Sequence, residues 1–206
     1  FNTYAGVVKY SGKSVRDSHE GGYGKISLAR GFEVSSNTVM VQAVYNNYKN
    51  NPSQFVNHIN AIGLNKKIGL EFKGEGTPFI PQPSDKNWSN ISLPWMAFGY
   101  GVSVTPLQTL TFYNAVANNG EMVKPQIVSE IKQWDKTIKK YDKEVLNPKV
   151  CSKETLLKLK AVLANVVKKG TGAKLYSKDF SMAGKTGTAA VNYAKNGGSE
   201  KYYASS

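Results

Sequence analysis

The chain has 206 residues, 40% hydrophobic and 11% aromatic, a composition that excludes an intrinsically disordered segment and suits one globular domain with a sizeable core. Its formal net charge is +13, and a single cysteine, Cys151, excludes an internal disulfide. No apolar run approaches the roughly 18 residues of a membrane-spanning helix and no signal peptide opens the chain; beginning at Phe1, it reads as processed or excised.

From Ala5 to Val15 the sequence predicts two short strands around a Ser11-Gly12-Lys13 turn, then a glycine-rich loop from His19 to Gly24. Ser35-Ser36-Asn37 opens the first helix. Val39, Met40, Ala43, Val44 and Tyr48 follow at helical spacing, and serine and asparagine favour the N-cap. A second helix is expected from Pro52, with Phe55, Ile59 and Ile62 inward and Gly63 as its stop. Asn65 to Pro94 reads as a long irregular surface segment, of the kind that is usually functional or inserted. Trp88 and Trp95, near its end, read as core residues rather than platforms for glycan stacking.

Phe98-Gly99-Tyr100-Gly101 leads to the strongest helix start in the chain. Thr105 is the N-cap, Pro106 the first helical residue, and Gln108 completes a capping box. Leu107, Leu110, Asn114 and Ala117 are expected on one face, with Asn119-Gly120 as the stop. Met122 to Tyr141 is expected to form a β-hairpin turning at Asp135-Lys136, because Ile127, Ser129 and Ile131 alternate with Val128 and Glu130. Ser152 caps a long helix with Leu156, Leu159, Leu163 and Val166 inward; Lys168 and Lys169 suit its dipole and Gly170 ends it. Cys151 reads as a small residue in the helix-entry turn, the alternative being a free or intermolecularly paired thiol. Phe180 to Val191 is expected as a strand, Asn192 to Glu200 as a polar loop, and Tyr202-Tyr203-Ala204 as the start of another strand. Strands at both ends with helices between argue for an α+β fold whose antiparallel sheet is built partly from distant segments.

Thirteen lysines lie between Lys132 and Lys178 against four carboxylates. That stretch is either a solvated face or a surface for an anionic partner. Its thin aromatic interleaving, Trp134, Tyr141 and Tyr176, argues against single-stranded nucleic acid. His19 and His58 have no cysteine or carboxylate cluster at ligand spacing, so no metal site is expected.

Two short motifs carry chemistry: Ser35-Ser36-Asn37 at a helix start and Lys185-Thr186-Gly187-Thr188 at a strand. Each alone is weak, since the first is also an ordinary N-cap and the second an ordinary strand ending in a turn. Between them stand Gly99-Tyr100-Gly101-Val102-Ser103-Val104-Thr105-Pro106-Leu107-Gln108, then Asn119-Gly120, then Gly170-Thr171-Gly172. In this order the chain resembles the class B penicillin-binding proteins, the peptidoglycan transpeptidases, from about Asp17 to Ala190. The Asp17-Ser18-His19 run looks more like their division-type (septal) members. The resemblance implies a β-lactamase/transpeptidase-like fold, an antiparallel sheet flanked by helices plus a mainly helical subdomain, here incomplete at both ends. It also implies a location outside the cytoplasmic membrane, held by an N-terminal helix that is not in this chain.

The substrate that the family implies is a peptide ending in a free carboxylate. An ammonium such as that of Lys185 answers the charge, the hydroxyls of Thr186 and Thr188 add hydrogen bonds, and Gly187 lets the peptide lie against the strand. By resemblance, the N–H of Thr188 is half of an oxyanion hole, Ser35 relays a proton, and Asn37 holds a substrate carbonyl and the catalytic lysine. The partners implied are the peptidoglycan stem peptide, β-lactam antibiotics, and membrane proteins of division or elongation. No nucleic acid, metal or organic cofactor is implied.

The family's nucleophile, the serine of an S-x-x-K, is expected upstream of Ser35. Ser11, Ser14, Ser18 and Ser27 all lack a lysine three residues on. The one S-x-x-K, Ser129 to Lys132, comes after Ser35 and reads as strand, so it is taken as a chance match. These 206 residues are therefore expected to be a partial transpeptidase domain, without the S-x-x-K segment and the last strands and helix, unable alone to form an acyl-enzyme. A serine β-lactamase or penicillin sensor of the same fold, a non-catalytic cell-wall scaffold and a basic binding module remain as alternatives.

Overall fold

The computed structural model describes residues 1–71, 73–190 and 202–205. They divide into two compact units, Phe1–Ala43 with Leu159–Ser206, and Val44–Lys158. The α+β reading holds: among the described residues two strands precede five consecutive helices, four short strands follow, and a sixth helix leads to the last two strands, which like the others pair two by two, all antiparallel.

The first unit opens with β1 (Val7–Tyr10) and β2 (Lys13–Arg16), joined at Ser11-Gly12 as expected. The glycine-rich loop after them is pinned by the buried Thr3, whose hydroxyl donates to the Gly24 carbonyl at 3.0 Å and accepts from the Tyr23 N–H at 2.6 Å. A helix not anticipated from the sequence follows, α1 (Leu28–Glu33), with the Ser27 hydroxyl capping the Arg30 N–H at 3.1 Å. At six residues it is too short to display a hydrophobic period. Next comes α2 (Asn37–Tyr48), which turns Val39 and Val41 fully inward, while Met40 is only half-buried, so its inner face is rotated from the expected one. Gly31 makes that packing possible, because a Cβ there would stand 2.4 Å from a Val39 methyl.

The second unit contains the remainder of α2, then α3 (Pro52–Ile62), which ends at Gly63 in the left-handed conformation. Val56, Ile80 and Met96 form its core, with Phe55, Ile59 and Trp88 packed against them. Complete burial of a side chain such as Val56 contributes about 1.5–3 kcal/mol. The long segment from Asn65 is irregular as expected until α4 (Ser92–Met96), another short helix that the sequence did not announce. Trp95 lies in α4, its ring centroid 5.8 Å from that of Phe98.

The capping box forms as expected at the start of α5 (Pro106–Ala117). The inner face differs: Gln108, Thr111, Ala115 and Val116 are buried, whereas Leu110 is 62% exposed and Asn114 and Ala117 face solvent. Gln108 and Thr111 tolerate burial because each is satisfied, Gln108 donating to the Lys66 carbonyl and Thr111 to the Leu107 carbonyl, both at 2.7 Å. The expected hairpin is smaller than Met122 to Tyr141. It consists of β4 (Glu130–Gln133) and β5 (Lys136–Lys140) with Trp134-Asp135 as its turn, one residue before the expected place. Trp134 there is 92% exposed. The residues ahead of it form β3 (Met122–Val123), which pairs instead with β6 (Val145–Asn147).

The long helix α6 (Lys153–Lys169) begins in the second unit and ends in the first. The Ser152 hydroxyl accepts the Thr155 N–H at 3.1 Å, and Leu156, Leu163, Val166 and Val167 are buried. A single 3-10 turn, Ala173–Leu175, follows. The expected strand from Phe180 shrinks to β7 (Gly187–Ala190); Phe180 is 62% exposed, and Val191 and the loop Asn192 to Glu200 lie outside the described residues. Here β8 (Tyr202–Ser205), the second C-terminal strand expected, pairs antiparallel with β7.

Candidate active site

The sequence between α1 and α2 makes a tight corner. The Ser36 N–H donates to the Gly31 carbonyl at 2.8 Å and the Ser35 N–H to the Phe32 carbonyl at 3.1 Å, which forces Ser35 into the left-handed region at φ 57°. That conformation costs a non-glycine residue about 1–3 kcal/mol and collects at functional sites. The two serines then part ways. Ser36 is buried and its hydroxyl accepts the Val39 N–H at 3.2 Å, so it is the true N-cap of α2. Ser35 points away from that cap, toward the C-terminal motif.

There it meets Lys185, 150 residues on, whose Nζ donates to the Ser35 Oγ at 2.8 Å and to the Thr186 carbonyl at 2.8 Å. The Phe32 ring lies 5.8 Å from the same ammonium. Half-burial pushes the Lys185 ammonium below the ordinary lysine value, because its charge has lost water. The Thr186 hydroxyl lies 2.6 Å from that of Thr171. Gly187 and Thr188 open β7, whose partner is β8; among the described residues no strand occupies its other edge, and the Thr188 side chain is exposed.

The Gly170-Thr171-Gly172 motif is the end of α6. The N–H groups of Gly170 and Gly172 both donate to the Val166 carbonyl, at 3.1 and 3.0 Å. The Thr171 N–H donates to the Glu33 carbonyl at 3.1 Å. Glu33 is 3% exposed, and its carboxylate is satisfied by Arg30 at 3.1 Å and Asn165 at 2.9 Å, with the Lys169 ammonium at 3.8 Å. Its backbone carbonyl thus ties the corner before Ser35 to the turn that supports Thr186.

The structure therefore brings Ser35, Lys185, Thr186 and Thr171 together. Asn37 stands at the first position of α2, its side-chain amide donating to the Arg16 carbonyl at 2.8 Å. Sequence reasoning missed Glu33, Asn165 and the use made of Asp17, whose carboxylate accepts from three donors, the Ser36 hydroxyl shared between its two oxygens, the Thr38 N–H and the Thr38 hydroxyl. The Asp17-Ser18-His19 run was a signal for Asp17; nothing local marked Glu33 or Asn165.

Ser129 and Lys132 do not form a catalytic pair: Lys132 lies in β4 and its ammonium is paired with Glu130 at 2.7 Å. Ser27, earlier in the chain, is occupied as the cap of α1. The exposed His58 lies 3.3 Å from the Tyr48 hydroxyl, and among the described residues no group of His, Cys, Asp or Glu could hold a metal ion.

Residues 2–205 match the model of the penicillin binding protein transpeptidase domain. The stage V sporulation protein D of Bacillus subtilis (strain 168) is 30% identical over 189 residues, a match covering 89% of this chain and 28% of that protein. The peptidoglycan D,D-transpeptidase FtsI of Buchnera aphidicola subsp. Baizongia pistaciae is 29% identical over 151 residues, covering 73% of this chain and 25% of that one. Among solved structures, penicillin-binding protein 3 of Mycobacterium tuberculosis complexed with ampicillin superposes with a TM-score of 0.77 at 25% identity, covering 98% of this chain and 45% of that chain. The chain thus spans about a quarter of the length of these two curated relatives.

Proposed function

Because this chain belongs to the penicillin-binding protein transpeptidase domain family, we propose that it forms the substrate-gripping part of a serine D,D-transpeptidase that cross-links peptidoglycan. The observation that carries this reading is the 2.8 Å contact between Lys185 and Ser35, which puts a half-buried cation and a hydroxyl side by side at the edge of β7.

A stem peptide would lie along the open edge of β7, with Gly187 leaving room for its backbone. Its terminal carboxylate would meet the Lys185 ammonium and the Thr186 and Thr188 hydroxyls, each charge-assisted bond contributing roughly 1.5–3 kcal/mol. The serine oxygen attacks the carbonyl carbon of the penultimate D-Ala, and the Thr188 N–H stabilises the oxyanion that forms. The C–N bond then breaks, and the terminal D-Ala leaves as an amine after taking a proton through Ser35. An amine of a neighbouring strand displaces the serine oxygen and completes the cross-link. Asn37 orients the substrate carbonyl and the catalytic lysine. A β-lactam would acylate the same serine, as the ampicillin complex of the mycobacterial neighbour suggests.

No S-x-x-K precedes Ser35, so the acylated serine is assigned to the rest of the protein. The site is assigned to the outer face of the bacterial inner membrane, with the anchor also outside these residues; no described helix is long and apolar enough to cross a membrane.

Labelling with a fluorescent penicillin tests the proposal. The full-length protein should label, and Lys185→Ala should slow labelling at least about tenfold, the equivalent of one lost charge-assisted bond. Residues 1–206 alone should not label. Covalent labelling of that stretch would sink the assignment of the nucleophile, and a folded full-length protein that never labels would sink the enzyme reading. Rapid loss of the label by hydrolysis would point instead to a β-lactamase.

A further inference from the structure

We propose that Asp17 is a positioning residue of this site, holding the Ser35-Ser36-Asn37 corner in the strained shape that aims Ser35 at Lys185. The inference rests on the function proposed above and deepens it.

Asp17 follows β2 directly, and its own N–H is fixed to the Gly6 carbonyl at 2.8 Å. Its carboxylate receives the Ser36 hydroxyl at 3.1 and 3.0 Å, the Thr38 N–H at 2.9 Å and the Thr38 hydroxyl at 2.9 Å. Ser36 and Thr38 are both fully buried. The residue before it, Arg16, lends its carbonyl to the Asn37 amide at 2.8 Å. Two consecutive residues at the end of one strand therefore grip positions 36, 37 and 38 from a single side.

Ser35 is the member of the motif left out of this grip. It carries a left-handed backbone at φ 57° and reaches in another direction, to Lys185. A non-glycine residue keeps that conformation only where its neighbours over-determine it. On the C-terminal side of Ser35, Asp17 supplies the hydrogen bonds that do so; on the N-terminal side the supply is the backbone pair from Ser36 to Gly31 and Ser35 to Phe32. Capping accounts for the Ser36 hydroxyl on the Val39 N–H and for the Asp17 carboxylate on the Thr38 N–H, two of the orphan donors at the start of α2. The additional bonds from Asp17 to two hydroxyls do not lengthen or cap the helix. They fix the rotation of residues 36 and 38 about the chain and so the direction in which residue 35 leaves.

Asp17→Asn keeps size and one acceptor oxygen but turns the other into a donor, which faces hydroxyls that must then reorient. The test uses the full-length protein, with Val56→Ala as a control that loosens the second unit's core. Two readouts are taken below both melting temperatures. In the first, Lys185 is modified with a succinimidyl ester and quantified by mass spectrometry against the exposed Lys132. Asp17→Asn should raise Lys185 modification at least threefold, and Val56→Ala should leave it unchanged. In the second, fluorescent penicillin is titrated: Asp17→Asn should cut the acylation rate constant about tenfold with little change in the noncovalent binding constant. Asp17→Glu, with the charge but the wrong reach, should not restore either. Unchanged Lys185 modification in Asp17→Asn overturns the proposal, as does an equal change in Val56→Ala. If the parent protein takes no penicillin at all, the functional reading fails on its own, and the lysine readout still decides the role of Asp17.

Discussion

Substituting Gly170 by alanine should unfold the junction that supports the C-terminal motif. A Cβ at this position would lie 2.2 Å from the Glu33 carbonyl oxygen and 2.9 Å from both the Cα and the carbonyl oxygen of Val166. All three are backbone atoms, so no rotamer change relieves the overlap, and ordinary contact begins at 3.4 Å. The end of α6 must move away from Glu33 by about 1.2 Å. Overpacking of this kind costs about 1–3 kcal/mol, and the lost Thr171 to Glu33 hydrogen bond adds about 0.5–1.5 kcal/mol. The total, about 1.5–4.5 kcal/mol, corresponds to a melting temperature lower by about 3–18 °C for a chain of this size. Gly184→Ala is the matched control, since a Cβ there meets nothing within 4 Å. Thermal unfolding followed by circular dichroism reads both. A Gly170→Ala melting temperature within about 2 °C of the parent would refute the close approach of α6 to Glu33, and with it the claim that this backbone contact sets the place of Thr171 beside Thr186.

Two further outcomes follow from the packing and the charges. Gly31→Ala should destabilise although alanine favours helix, because its methyl overlaps Val39; Gly31→Ala with Val39→Ala together should cost at least about 1 kcal/mol less than the sum of the two, measured by urea denaturation. In the second unit, burial works against the charge of Glu75, yet the N–H groups of Leu70, Ile68 and Gly69 and the nearby Lys67 outweigh it and hold the carboxyl below the ordinary carboxylate value. A depressed folded value means that the stabilisation is present above the unfolded value of 4.5 and is lost as pH falls through the folded one. Glu75→Gln should therefore melt about 2–4 °C lower at pH 7, with the difference closing in acid; a difference independent of pH would contradict the role of the charge.

What the sequence disclosed and what it withheld divide along one physical line. The start of α5 was legible because Thr105, Pro106 and Gln108 act on each other within a single turn. The inward face of the same helix was not, because Gln108 earns its burial from the Lys66 carbonyl, 42 residues away. Short helices such as α1 and α4 were invisible for a related reason: five or six residues show no period, and of the two only α1 carries a side-chain cap, from Ser27. In the site, the motifs themselves could be named one by one, but each has an innocent local reading. Ser36 even fulfils that reading as the cap of α2, while its neighbour Ser35 does something else. The separation between the two roles is decided by Asp17, 19 residues from Ser36, and by Lys185, 150 residues from Ser35, and no local pattern contains either relation.

The two costs concentrated at this site also bear on how it would work. Ser35 holds a strained backbone, and Lys185 holds a charge from which burial has removed water. Neutral hydroxyl and carbonyl oxygens at 2.8 Å are the Lys185 contacts that offset this loss, and neither carries a countercharge. An incoming carboxylate would supply that charge, push the Lys185 value back up toward the ordinary one and accept a charge-assisted hydrogen bond. The gain is realised only if the carboxylate arrives where Lys185 already points, and that direction is fixed by Ser35. The strain at Ser35 is then spent on orientation before the substrate arrives rather than on binding it afterwards. On this argument, relaxing the corner should weaken catalysis more than carboxylate affinity, which is the split between rate and binding expected for Asp17→Asn.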